Sequence, residues 1–433
     1  MTSAAVPAGH VFGFIVFLMF CLPSQQLSRF PLFRVQSDFT EFGALILPFL
    51  YFLLYRRQVA PAPLSRRSAA LFFAFVGSLA LSAALFAVLY SMNTLGPFVT
   101  HNLRALTPFL TAGFVAVQGI KINRQVFLRW FFSALLVSYA VLLLTYLTDF
   151  QRVTNYEGFE NVSAAVQGGR IVNQNWQFGI IGLFLLLDPL KRAFCKTVFD
   201  RWLVFTVALL SLVQMIVGFN RTFLAVAILE LFLVQIYIAR AKFSVILKSI
   251  LAVCIAIVAM IGAYHLSDDI QRQIDTRILV FVDNFQDAFW ETLDSRTSRM
   301  SRGAQLEASL DHLKTKWLFG LKPGEPILSE WLEKGWYDAD QVDAAILSLW
   351  LRYGLLPMML FTLFWLSQIA DMRREGADSR RDGYWRNYAK GTAVIFAIYV
   401  LASVNTSSIT SHNAVLFSVL FSFLWRENGL HAT

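Results

Sequence analysis

WLVFTVALLSLVQMIVGFNRTFLAVAILELFLVQIYIARAKFSVILKSILAVCIAIVAMIGAY, residues 202–264, holds three apolar runs in succession, 202–219, 222–239 and 244–264. A helix needs roughly 20 apolar residues to cross a hydrocarbon core of about 30 Å, and each run comes close to that length. Each is apolar all round, unlike the one-sided stripe of a helix on the surface of a soluble protein. The stretch reads as consecutive membrane-spanning helices with short connections.

The rest of the chain repeats the pattern. Hydrophobic residues are 57% of the 433 and charged residues 15%, with a mean hydropathy of +0.56. A soluble globule has too little interior to hide that much apolar side chain. Further runs near 9–23, 40–55, 68–92, 103–119, 126–148, 177–190, 344–368, 389–404 and 413–425 bring the expectation to twelve spans in an all-α, polytopic integral membrane protein. The run 103–119 is the weakest, since it holds Arg104 and Pro108. The first run lacks the basic region and small-residue cleavage site of a secretory signal, so it reads as a retained span.

The charges test this count. With the N-terminus in the cytoplasm, the loops on that side hold Arg56, Arg57, Arg66 and Arg67, then Lys121 and Arg124. They go on with Lys191, Arg192, Lys196 and Arg201, then Arg240 and Lys242, and lastly Arg373, Arg374, Arg380, Arg381 and Arg386. Every second loop is short and basic, as the lysine and arginine bias of cytoplasmic loops requires. Both termini are therefore expected in the cytoplasm. The net charge of +9 resides largely in these clusters, which suits orientation and contact with anionic membrane lipids and not nucleic acid. Cys21, Cys195 and Cys254 show no metal-ligand spacing and no disulfide framework.

Two longer segments fall outside, Asp149 to Trp176 and His265 to Asp343. The second, 265–343, is the one long polar stretch of the chain. In it Leu306, Leu310, Leu313 and Trp317 recur at helical spacing among Glu307, Asp311 and Lys314, which predicts an amphipathic helix against the spans or the interface. With no repeat and no linker tract, residues 1–433 read as a single membrane domain.

Chemistry-bearing residues gather on the outer side. Arg221 breaks an apolar hairpin, GFNRTFLAVA, and Arg352 sits inside the run LSLWLRYGLLP. An arginine at mid-membrane costs about 2.5–3.5 kcal/mol on insertion scales, so such residues face a cavity or a partner. Arg221 reads either as a pyrophosphate ligand or as a snorkelling residue on lipid phosphate. Arg352 reads either as functional or as the packing partner of an acid. Arg296, Arg299 and Arg302 form a second basic group in LDSRTSRMSRGAQLE. A guanidinium fork suits two phosphate oxygens at once, though a loop with three arginines is also an ordinary solvated surface. Among Asp294, Glu325, Asp340 and Asp343, the last opens the tenth run, where it reads as a general base or as a helix N-cap. The histidines, His101, His265 and His312 among them, have no metal-binding spacing. No Gly-rich phosphate loop is present, so neither a metal nor another cofactor is expected.

The stretch from Arg302 through AQLEASLDHLKTKWLFGLKPG to Gly324 resembles the outer-loop signature of the O-antigen ligase and polymerase superfamily: an arginine, an amphipathic helix, a WLFG-like turn and a Gly-containing segment. DAAILSLWLRYGLLPMML, from Asp343, resembles the span that follows it, and NRTFLAVAILELFL is similar to the family's SRT span opening, with Arg221 on the arginine and Asn220 in place of serine. The resemblance covers most of the chain, and the order of its motifs is more specific than any one of them. It implies a metal-independent, inverting glycosyltransferase of the GT-C type. Such an enzyme takes glycan from an undecaprenyl-diphosphate carrier at the periplasmic face of the bacterial inner membrane and passes it to a glycan acceptor. Arg221 and Arg302 would then bind the diphosphate, Asp343 would activate the acceptor, and Arg170, Arg296 and Arg299 would be secondary contacts.

One departure bears on the reaction. Ligases resemble one another in a histidine at the start of this span, where this chain has Asp343. That favours a polymerase of repeat units, with or without a chain-length regulator, over a ligase that transfers glycan to lipid A-core. A transporter of lipid-linked oligosaccharide is the rival of another class, but it usually has two similar halves, which are not seen here.

Overall fold

The computed structural model describes His10, Phe14, residues 66–98, Leu106, Leu110, residues 124–147, 195–217, Leu247, Gly262, Gln271, Asp275, residues 293–294, 299–300, 302–323, Glu325, Val342, and residues 344–378 and 383–402. The expected spans at 40–55, 177–190, 222–239 and 413–425 lie outside the described residues, and those at 9–23, 103–119 and 244–264 do so almost entirely.

The described residues are mostly helical, with one short antiparallel ladder and a few turn residues between helices. The helices are α1, Arg66–Tyr90; α2, Arg124–Leu147; α3, Val198–Val217; α4, Arg302–Lys316; α5, Ala345–Tyr353; α6, Leu355–Ala377; and α7, Gly383–Ala402. The ladder joins β1, Leu293–Asp294, to β2, Arg299–Met300, with Asp294 opposite Arg299. Among the described residues, Arg67–Tyr90 and Leu355–Ala377 are long and apolar enough to cross a membrane. In their most apolar windows only 28% and 44% of residues are buried. Helices apolar on both faces and covered on one suit lipid better than a soluble core, where most of the surface would be covered.

α1 and α6 run antiparallel, as their contacts show by reversed order along the two chains. Ser68 meets Asp371 near one end, Phe72 meets Phe364, Phe75 meets Phe361, and Ser82 donates to the Tyr353 carbonyl at the other end. The inward side of α1 is Phe72, Phe75, Leu79 and Phe86, a helical period; Phe73, Leu81, Val88 and Leu89 point outward. α7 folds back on α6 through Trp365 and Phe396, whose rings lie 4.7 Å apart at a T-shaped angle worth about 0.5–1.5 kcal/mol beyond area burial.

α2 and α3 form a second pair. Thr197 and Asp200 close a capping box at the start of α3: the Asp200 N–H donates to Thr197 Oγ1 at 3.1 Å and the Thr197 N–H to Asp200 Oδ2 at 3.0 Å. Near the start of α2, Arg129 Nε donates to Asp200 Oδ1 at 2.6 Å and Gln125 Nε2 to Oδ2 at 2.9 Å. The two helices thus begin at one level and run parallel.

Candidate functional site: the joint between the long polar loop and the broken helix

α4 forms where the loop sequence predicts a helix, and Lys314 and Lys316 in its last turn complement the negative end of its dipole. The buried side is Gln305, Ser309 and Leu313, whereas Leu310 and Trp317 of the expected apolar stripe lie outward. Gly320 ends the helical path: its N–H donates to the Lys316 carbonyl at 2.9 Å, with φ +81°. A glycine in that left-handed region at a helix end is a common terminator.

The tenth apolar run, expected to be continuous over 344–368, is broken at Gly354 into α5 and α6. Gly354 has φ +88° and ψ 179°, a conformation open almost only to glycine. Pro357 follows in the first turn of α6, where a missing N–H costs nothing. The break exposes backbone groups, and the loop turn 317–321 satisfies them. Leu355 N–H donates to the Leu318 carbonyl at 3.1 Å, and Leu321 N–H donates to the Leu351 carbonyl at 2.6 Å. Trp350 Nε1 adds a 2.6 Å bond to the Trp317 carbonyl. The fit leaves no room for side chains. A Cβ on Gly354 would lie 2.3 Å from the Leu318 carbonyl oxygen, and one on Gly320 would lie 2.5 Å from that of Leu351.

Apolar packing backs the bonds. Leu313, Leu321, Val342 and Leu351 form a buried cluster, with Ala308, Ala344, Leu347 and Trp350 against it. Beyond the joint, Glu325 accepts from Lys316 Nζ and from the Lys322 N–H, and its own N–H donates to the Lys322 carbonyl at 2.9 Å. Lys322-Pro323-Gly324-Glu325 is a type II turn sequence, with proline at the second position and glycine at the third. Lys322 Nζ stands 5.8 Å from the centre of the Tyr90 ring, which ties the turn to the end of α1. The hydrogen bond from Lys314 to Asp311 raises the pKa of Lys314 above its ordinary value, so this exposed ammonium stays charged.

Of the candidate residues, Arg302 is the first of α4, Arg299 lies in β2 opposite Asp294, and Arg352 is half-buried in the last turn of α5. α4 and α5 both end at the joint. Their other ends lead away from it, with Arg302 at the start of one and Asp343 before the start of the other. The N-cap of α5 is Ala344, with no side-chain cap bond, so Asp343 stands one residue before the cap position. Arg170, Arg221, Arg296 and Asp343 lie outside the described residues. Among the described residues no group of three or more His, Cys, Asp and Glu could hold a metal ion.

Two polar features carried no signal that sequence reasoning used. One is the capping box of α3 with Arg129, which Thr197-x-x-Asp200 ahead of an apolar run would have announced. The other is a buried cluster in which Ser68 Oγ donates to Asp371 Oδ2 at 2.7 Å and lies 2.6 Å from Ser367 Oγ. No protein-family model matches the sequence, and neither does any curated protein.

Proposed function

We propose that this chain is a glycosyltransferase that polymerises undecaprenyl-diphosphate-linked oligosaccharide repeats at the periplasmic face of the bacterial inner membrane, for an O-antigen, capsule or exopolysaccharide. In this reading it has twelve spans and both termini in the cytoplasm. The relative directions of the described helices support that topology. α1 and α6, the third and tenth spans, are antiparallel; α2 and α3, the fifth and seventh, are parallel. Strict alternation requires both.

The observation that carries the catalytic reading is the joint. Two of the stretches that carry the resemblance, 302–324 and 343–360, are one polar and one apolar, yet they interlock through reciprocal backbone bonds and two glycines. Such a joint holds the loop that bears Arg302 rigidly against the span that follows Asp343. A rigid mount is what an electrostatic catalyst needs, because donors fixed in advance do not reorganise during the reaction.

In the proposed reaction an acceptor hydroxyl oxygen attacks the anomeric carbon of the donor. The bond from that carbon to the diphosphate oxygen breaks, and the electron pair leaves with the lipid diphosphate. Arg221 and Arg302 bind that diphosphate and offset its growing charge. Asp343 takes the hydroxyl proton.

Purified protein in vesicles with a synthetic diphosphate-lipid oligosaccharide tests this. Polymer should form without ATP or added metal. Arg221→Ala and Arg302→Ala should each reduce the rate by about 10²–10³-fold, as the loss of one charge-stabilising donor does. Asp343→Asn should impair transfer more than donor binding. Polymer of full length from both arginine variants would remove them from the site, and movement of intact donor without polymer would replace the enzyme by a transporter.

A further inference from the structure

α6 supplies a depth scale. Its apolar residues, 355–370, cover about 24 Å at 1.5 Å each before Asp371, Arg373 and Arg374, most of a hydrocarbon core of about 30 Å. With those charges at one face of the core, Leu355 lies within the outermost turn at the other. The loop turn is bonded to that residue, through the Leu318 carbonyl, and to Leu351 one turn further out. α1 ends at the same level, with Tyr90 beneath Lys322. The turn 317–321 is held at the boundary and not above it in water.

Its outward side chains match that depth. Trp317, Leu318 and Phe319 are consecutive, large and apolar, and 48%, 44% and 43% exposed. Leu310 on α4 is 47% exposed and lies on one helical stripe with Lys314 and Trp317. The apolar surface continues onto Leu356 and Met359 of α6, both exposed, and down the same helix to Leu363 and Leu366. Apolar area gains free energy on leaving water in proportion to its size, so three such side chains in a row at a loop tip are out of place in water. Lys322, exposed, and Lys314, exposed and paired with Asp311, flank the tip at the level of phosphate headgroups, which draw such cations. Tryptophan beside lysine at a span end is the composition of a membrane interface.

We infer that Trp317, Leu318 and Phe319 form a wedge inserted into the lipid leaflet at the Leu355 boundary, with Lys314 and Lys322 at headgroup level. Bilayer lipid is the occupant, because the patch is continuous with the outward face of a helix of membrane-spanning length and carries cations at its rim. The wedge fixes the C-terminal end of α4 at headgroup depth. The inference rests on α6 being a membrane span and is independent of the glycosyltransferase proposal.

The test is a depth measurement on the full chain in vesicles containing phosphatidylglycerol. Cys21 and Cys254 are replaced by alanine, the buried Cys195 is kept, and a nitroxide is attached at Phe319→Cys. Power saturation by oxygen, which partitions into lipid, and by a polar nickel chelate, which does not, gives the accessibility ratio. Leu363→Cys, mid-helix on α6, and Thr315→Cys, on the polar edge of α4, set the two ends of the scale. The wedge requires a ratio at 319 several-fold above that at 315 and below that at 363. The same order is required at Leu318→Cys, which keeps the test decisive if one variant misfolds. A label open to the nickel chelate as Thr315→Cys is places the turn in water and overturns the inference. A label closed to both reagents means that protein covers the patch, which overturns it as well.

Discussion

α6 is fastened by different means at its two ends, to α1 at one and to the loop turn at the other. At the Ser68 end three side chains do the work: Ser68, Ser367 and Asp371, all buried, within 2.7 Å of one another through the Ser68 hydroxyl. At the Tyr90 end the contacts near the break are mainly backbone, with two glycines back to back and two main-chain bonds between loop and span. The first closure fails when atoms are taken away, the second when atoms are added. The distinction matters in a membrane, where apolar helices gain little from hiding their surface from lipid and depend on close packing and polar contacts.

Adding one methyl group at the joint should have the largest effect. Gly354→Ala forces an alanine into a glycine-only conformation and drives its Cβ into the Leu318 carbonyl, at a cost of about 2–6 kcal/mol for strain and overpacking together. The measurement is the melting midpoint in detergent, with polymer yield beside it. A midpoint equal to that of the parent protein would mean that the loop does not grip the break as described. Gly320→Ala should come next. Because both clashes fall in one joint, where a Cβ on Gly320 would also lie 2.9 Å from the Gly354 nitrogen, the double variant should lose less than the two single losses combined.

Taking atoms away at the other end should cost less. Asp371→Ala removes the carboxylate to which Ser68 donates, a loss of about 1–2 kcal/mol. Asp371→Asn keeps an oxygen in place and should recover most of it. If the asparagine variant melts with the alanine variant, charge and not the hydrogen bond holds this end.

The two closures also differ in how far the sequence announces them. Spans read from hydropathy agree with α1, α2, α3 and α7 to within a few residues, apart from the start of α7, which lies six residues before the expected 389. Hydropathy follows the average apolar content of a window, and that average survives packing. It fails at Gly354 for the same reason: LRYGLLPMML stays apolar across the break, and one glycine barely changes the mean. The local signal was Gly354 followed by Pro357, a breaker pair inside an apolar run. Ser68 and Asp371 are 303 residues apart, and no period in a single sequence links them. Asp371 opens the charged end of α6 beside Arg373, Arg374 and Glu375, where nothing in the sequence sets it apart as inward-facing. In the candidate site the residue types and the helix of α4 were legible. The interlock was not, because it is made of backbone.

The smallest effect probes whether the loop turn is fastened to α1 as well as to α6. Lys322 lies over the Tyr90 ring with its ammonium exposed, and a cation over an aromatic face at such a site is worth about 0.5–1 kcal/mol. Lys322→Ala should lower the stability by that amount, read as a small drop in the melting midpoint, Tyr90→Leu should give a loss of similar size, and the double variant should lose no more than the larger of the two. Additive losses would mean that lysine and ring act separately, leaving α6 as the turn's main fastening. Coupled losses would make the turn a bridge across the tops of two antiparallel spans. The glycine closure would then hold three segments together, not two, and Gly354→Ala should also loosen the Tyr90 end of α1.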